Sequence, residues 1–288
     1  MNPPKDSLQE LPEDNRDVLG QIITLPKVEN LPANFSLGEQ PVKNQDDLMP
    51  GSDFCTQYAA CLASQYQEKV ELLPEYTFAW AKRDNPEVWG DNLRSACKAQ
   101  QRLGAVSISE TVAIIKDIDS DKLRYFDSYP EYLKDMAKGH KKKSYIKLRN
   151  FDEIRSMLFK YKDRAVIMGL IWSWNLSEYL LTGMDDNGFG HAVCAVGWKT
   201  VGGEIHLEIQ NSYGEWAGDK GRHLLPRETV NHFVGRYGAF AFIDEKPEVA
   251  RELQRRATWY NATLLEKLRI KLSEFYNLKK IWRIGLGS

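Results

Sequence analysis

The chain has 288 residues, of which 42% are hydrophobic, enough to bury a sizeable core as one large domain or two lobes. Its formal charge of −1 creates no whole-protein field that would point to nucleic acid or a membrane surface as partner. No apolar run approaches the roughly 20 residues of a bilayer span, and the N-terminus has neither a signal core nor an Arg-rich transit pattern, so a cytoplasmic protein without an integral membrane segment is expected.

Residues 1–30 are rich in Pro, Asp and Glu with little periodicity and are expected to form an extended arm. In GSDFCTQYAACLASQY, residues 51–66, Tyr58, Cys61, Leu62 and Tyr66 fall at helical spacing, with Ser52 or Asp53 available as N-cap, so a helix is expected from Cys55. A second helix follows Pro74 through EYTFAWAKR, and a third runs through NLRSACKAQQRL to Gly104. The GHKKK run, with Lys141–Lys143, reads as a solvated loop. From about residue 145 the pattern changes to strands at YIKL, AVIMGLIW, HAVCAVGWK, EIHLEIQNS and GAFAFI, with one helix, FDEIRSMLFKY, after the first. A helical first half and a sheet-rich second half predict an α+β fold of two lobes. Residues 247–280 carry apolar side chains at intervals of three or four, the pattern of a long amphipathic helix. The segment 247–288 holds nine Lys/Arg against four Glu, a basic extension suited to self-association or a protein partner.

The four cysteines, Cys55, Cys61, Cys97 and Cys194, are too scattered for a disulfide framework and form no CxxC pair for zinc, so free thiols and no metal site are expected. Cys55 stands apart because a helix N-terminus favours the thiolate, the form that attacks carbonyls. Such a nucleophile needs an imidazole to hold and return the proton, and a polar group to orient that imidazole. Among five histidines, His191 in GFGHAVCAVGW opens a buried strand and can project from the sheet end. His223, His206 and His232 lack that Gly-flanked strand start. If the strands on either side of Gly202–Gly203 pair as a hairpin, His191 comes beside Asn211. Taken alone, Cys55 is more readily a small buried hydrophobe; His191, Asn211 and Gln45 reverse that balance. Cys61, within the helix, and Cys194, mid-strand, read as core.

At these residues the chain resembles the papain-like cysteine peptidases, in a bacterial or phage-type form. LPANFSLGEQPVKNQ is similar to the family's mature N-terminal segment. GSDFC, GHAV and QNSYGEWAGDKG follow in the family's order, and the resemblance spans about residues 31–245. It implies Cys55 as nucleophile, His191 as base, Asn211 as its orienting partner and Gln45 as oxyanion-hole donor. WGDNLRSACKAQQRLGAV resembles a groove-lining stretch of bacterial members, which makes Gly90 a subsite candidate beside Gly190 and Trp216. The implied fold is a papain-like catalytic domain at 31–246, with a helical lobe at about 45–110 and an antiparallel sheet or barrel lobe at about 111–246. The implied reaction is hydrolysis of a peptide or protein substrate without metal or organic cofactor. The sequence departs from the family in three places. Ten positions separate Gln45 from Cys55 instead of six, Thr56 follows the cysteine where Trp is usual, and Tyr213 stands where the Asn-Ser-Trp pattern has Trp. The first 30 residues are shorter than the usual inhibitory prosegment. Two other readings remain: a non-catalytic or self-processing papain-fold scaffold acting through its arm or C-terminal helix, and a transglutaminase-type acyl transferase, which would take Asp in place of Asn211.

Overall fold

A computed structural model describes residues 8–10, 25–45, 47, 54–87, 90–183 and 186–243, with the side chains of 112–114 excepted. The expected basic helix at 247–288 lies outside the described residues, as do Ser52, Asp53 and most of the arm.

Helices dominate the first half. Helix α1 (Cys55–Glu68) starts where expected, but Phe54 occupies its N-cap and contributes no side-chain cap. Helix α2 (Pro74–Ala81) places Pro74 in its first turn, where a missing N–H costs nothing. Helix α3 (Leu93–Arg102) is capped by Asn92, whose side chain accepts the Ser95 N–H at 3.0 Å. Helices α4 (Ile108–Lys116) and α5 (Leu133–Ala137) follow with short 3₁₀ turns between them. Leu73, Tyr76 and Ala79 share one buried cluster with Ile115, Leu123, Tyr129 and Leu133, so residues up to Ala137 pack with the helical part. The Lys141–Lys143 run departs from expectation: Lys142 is buried and ion-paired to Glu68 at the end of α1, and the His140 ring also contacts that carboxylate. A buried ammonium needs such a partner.

The second half is an open sheet built entirely of antiparallel pairs. Strands β2 (Ser144–Leu148), β3 (Val166–Trp172), β4 (Phe189–Val201), β5 (Glu204–Gln210), β6 (Arg222–Leu225) and β7 (Ala239–Ile243) lie in the order β2-β7-β3-β4-β5-β6, and β1 (Phe35–Ser36) adds to β4. Helix α6 (Phe151–Tyr161), capped by Asn150, and helix α7 (Arg227–Tyr237) complete the α+β fold. Strand β6 and helix α7 were not expected from the sequence. RETVNHFVGRY is poor in strong helix formers, and its helix is held by burying Val230, Phe233 and Val234 in the main core. Three alanines, Ala59, Ala60 and Ala63, bring α1 close to the sheet, where the Cys194 thiol donates to the Ala59 carbonyl at 2.9 Å.

One irregularity governs the site end of the sheet. Val201 pairs with Glu204 across Gly202 and Gly203, both at positive φ as a two-residue hairpin turn requires. That register runs to Gly197↔Glu208, then slips by one residue so that Ala195 faces Ile209 and Cys194 faces Gln210. Without the bulge, Asn211 would fall opposite Cys194 and point to the other face of the sheet. With it, Asn211 falls opposite Val193, on the same face as His191 and diagonal to it. Gly197 lies in the bulge beneath β1, and a Cβ there would meet the Phe35 carbonyl oxygen at 2.3 Å. Gly197→Ala is expected to cost about 1–3 kcal/mol by overpacking; a urea midpoint equal to the parent's would show that β1 is not held this closely.

Candidate active site

Two contacts fix the direction of α1 along β4. Ala59 meets Cys194, and two turns later Tyr66 reaches the Gly38 carbonyl at 3.2 Å, beside Leu37, whose N–H donates to Val196 O, two residues further along β4. The helix and the strand therefore advance together. Cys55, one turn before Ala59, lies toward the end of β4 that carries His191, and it is fully buried.

His191 Nε2 stands 2.8 Å from Asn211 Oδ1. That oxygen also accepts the Ser212 backbone N–H at 2.7 Å, which identifies it as the carbonyl side of the carboxamide and makes His191 Nε2 the protonated nitrogen. The pair is enclosed by aromatic rings. Tyr213 stacks on His191 with centroids 4.7 Å apart and planes 12° from parallel. Its hydroxyl lies 3.3 Å from His191 Nδ1, within hydrogen-bond reach. Trp172 packs edge-on against His191 at 5.7 Å, against Tyr213 at 6.2 Å and against His223 at 4.9 Å. Tyr213 thus covers the His191 side of the pair.

Gln45 is strapped to the residues after Asn211. Its N–H donates to the Ser212 carbonyl at 2.8 Å, and its Oε1 accepts the Ser212 hydroxyl at 2.8 Å, which turns the amide nitrogen to the opposite side of the carboxamide. Asn44 bridges Tyr213, and Gly214 N–H donates to Lys43 O at 3.1 Å. Lys43 anchors the strap to the helical part: its ammonium donates to Leu72 O at 2.9 Å and to Gln65 Oε1 at 3.2 Å.

Gly190, and Asp91 next to Gly90 in the chain, flank an occupant that the sequence did not reveal, a piece of the chain's own N-terminal arm. Leu8 N–H donates to Gly190 O at 3.3 Å, Gln9 N–H donates to Asp91 O at 2.9 Å, and Leu8 bridges Asp91. The Leu8 side chain is buried, and Cβ atoms added at Gly169 and Gly190 would come within 2.6 and 2.5 Å of that residue. Glu10 is held by Arg236 of α7 at 2.6 Å. Trp216 is 62% exposed, so it does not pack into the core. Between Trp172, Trp174, Gly188 and Phe189 a cavity of about 360 Å³ opens beside His191.

Burial pushes Cys61 up to about 12 and raises Cys194 as well, which matches their reading as core residues. Among the described residues no cluster of His, Cys, Asp and Glu could hold a metal ion, and no helix is long and apolar enough to cross a membrane.

No protein-family model matches the chain, and no curated protein matches it. Solved structures do. Xylellain, a cysteine protease from Xylella fastidiosa, superposes with a TM-score of 0.66 at 19% identity, covering 85% of this chain and 99% of that one. ProCathepsin B S9 from Trypanosoma congolense gives 0.58 at 13% identity over 83% and 87% of the two chains. The bromelain protease from Ananas comosus gives 0.53 at 15% identity over 75% and 100%. At these identities the likeness establishes the papain-like fold.

Burial pushes His191 down to about 4, against a smaller opposing effect of the Asn211 bond, with the nearby His223 lowering it further. The unfolded state, with His near its ordinary 6.5, therefore binds more protons over that range, and stability falls as the pH drops from about 6.5 to about 4. Thermal midpoints across this window should fall less steeply for His191→Gln than for the parent; equal slopes would show that the imidazole is not held neutral in the fold.

Proposed function

We propose that this papain-like fold is a cysteine peptidase acting through Cys55, His191 and Asn211. The observation that carries the reading is the 2.8 Å His191–Asn211 bond, buried and ring-covered, at the end of β4 toward which Cys55 opens α1. In the reaction the Cys55 thiolate attacks the scissile carbonyl carbon. The oxyanion receives hydrogen bonds from the Cys55 backbone N–H, in the first turn of α1, and from the Gln45 amide turned away from Ser212. The imidazolium of His191 gives its Nδ1 proton to the leaving amine as the C–N bond breaks, leaving a thioester. Neutral His191 then takes a proton from water as that water attacks the thioester, and returns it to the Cys55 sulfur. Asn211 suffices where serine enzymes use a carboxylate, because the thiolate already supplies the anion that balances the imidazolium.

The groove that receives the peptide is the one holding residues 8–10. Its backbone groups on Asp91 and Gly190 pair with an extended chain, and Gly169 and Gly190 leave room for a branched aliphatic side chain where Leu8 sits. A substrate has to displace the arm, so the arm sets the fraction of molecules open to substrate. Gly90 and Trp216 are read as groove and leaving-group-side contacts.

Intact mass after exposure to an epoxysuccinyl inhibitor at pH 6 tests the reaction. One adduct is expected on the parent and none on Cys55→Ala or His191→Ala; equal labelling of Cys55→Ala would end the peptidase reading in favour of a papain-fold scaffold. Leu8→Asp places a charge in an apolar seat and should raise the initial labelling rate by about three- to ten-fold, the expected gain when the open fraction grows. An unchanged rate would show that residues 8–10 do not limit access.

A further inference from the structure

We infer that His223 on β6 is a positioning residue for this site, holding the Asn211 carboxamide in the orientation that fixes which nitrogen of His191 carries its proton. The inference rests on the reading of His191 as the reacting base. No charge, motif or spacing in the sequence marks His223; it is identified by what its two ring nitrogens face.

The first nitrogen, Nδ1, lies 2.6 Å from the Glu178 carbonyl oxygen, which can only accept, so Nδ1 carries the hydrogen. In a neutral ring Nε2 then has the lone pair. That lone pair faces Asn211 Nδ2 at 3.4 Å. The Ser212 N–H on the carboxamide oxygen identifies the atom facing His223 as the NH₂ group, a donor, so the two contacts hold opposite sides of the carboxamide. Donors and acceptors then alternate along the whole row. His223 donates to Glu178, Asn211 donates to His223, and His191 Nε2 donates to Asn211. The lone pair of neutral His191 is left on Nδ1, the atom that exchanges a proton with Cys55 in the proposed reaction.

The surroundings are built for a flat ring at this position. His223 is fully buried. Gly218 leaves space for it, since a Cβ there would come within 2.7 Å of its Cε1 and 2.8 Å of its Nδ1. Trp172 of β3 packs edge-on against both His223 and His191, so one indole covers both ends of the row. Protonating His223 would set a second N–H against the Asn211 NH₂ and place a cation near His191. Burial opposes that by pushing His223 below its ordinary value. The groups facing it are the Glu178 carbonyl, Asn211, Trp172 and Gly218, and its titratable neighbour is His191.

The test compares His223→Gln, whose side-chain oxygen can accept from Asn211, with His223→Leu, which cannot, in the full chain. Two readouts are taken: the ¹⁵N shifts of the His191 ring, which report the tautomer, and the pH profile of Cys55 alkylation by iodoacetamide. The leucine variant should show a mixed His191 tautomer and alkylation slowed about ten- to a hundred-fold with a displaced acid limb, as for loss of an outer partner that leaves a buried donor unpaired. The glutamine variant should keep the Nε2–H tautomer and a rate within about three-fold of the parent. His223→Val, suited to a strand, takes the place of the leucine variant if that one does not fold. A lowered melting point with unchanged tautomer and unchanged profile would overturn the inference, because packing alone would explain it. If Cys55 of the parent proves unreactive, the peptidase reading falls, and the His191 tautomer alone decides the role of His223.

Discussion

A single extra residue in β4, between Ala195 and Gly197, decides which face of the sheet Asn211 occupies. The hairpin turn at Gly202–Gly203 sets one register for the outer part of the β4–β5 ladder, and the bulge replaces it with another toward the end bearing His191. Because strand side chains alternate, that slip moves Asn211 from the Cys194 side, which faces α1, to the His191 side. The two side chains can then meet at 2.8 Å. Strand β1 covers the bulge from outside, pairing Phe35 with Trp198, and a glycine under it allows the close approach. The register of the sheet is thus the prior condition for the His191–Asn211 contact on which the site is built.

The pair so formed sits in a dry, aromatic enclosure, and that raises the energy of any isolated charge on it. Burial holds His191 neutral well below its ordinary range, so an imidazolium there requires an anion close by. A thiolate on Cys55 would be that anion. In such low-dielectric surroundings the two charges stabilise each other far more than they would in water. The same dryness makes each hydrogen bond around the imidazole costly to lose. This explains why Gln45, Ser212, Asn211 and His223 form one connected set instead of four separate contacts.

Much of the fold can be read locally. Helix α1 begins at Cys55, the strands at 166–172 and 239–243 coincide with unbroken apolar runs, and Gly202–Gly203 marks its own turn. The His191–Asn211 pairing follows from that turn only because the bulge lies between them, and the one mark of it in HAVCAVGWK is Gly197, a glycine inside a strand pattern, which signals a bulge or a close approach without saying which. Strand β6 is four residues long, and α7 has a helical pattern weakened by Thr229, Val230, Asn231 and Gly235, so both depend on tertiary packing that propensity does not carry. His223 looks like any polar residue at a strand start; its role exists only through a partner twelve residues earlier. The seat of Leu8 is equally hidden, because its partners, Asp91, Gly169 and Gly190, come from three distant parts of the chain.

Residues 8–10 sit in the groove on contacts that include two backbone hydrogen bonds, one buried side chain and one ion pair. Being covalently joined to the domain, the segment is present at an effective concentration on the order of millimolar, so even a weak intrinsic affinity keeps it seated most of the time. A cut anywhere in the chain between Glu10 and Leu25 would convert that local concentration into the bulk concentration of a dilute peptide. The fraction of molecules with the groove open would then rise, and it would not fall back while the chain stayed cut.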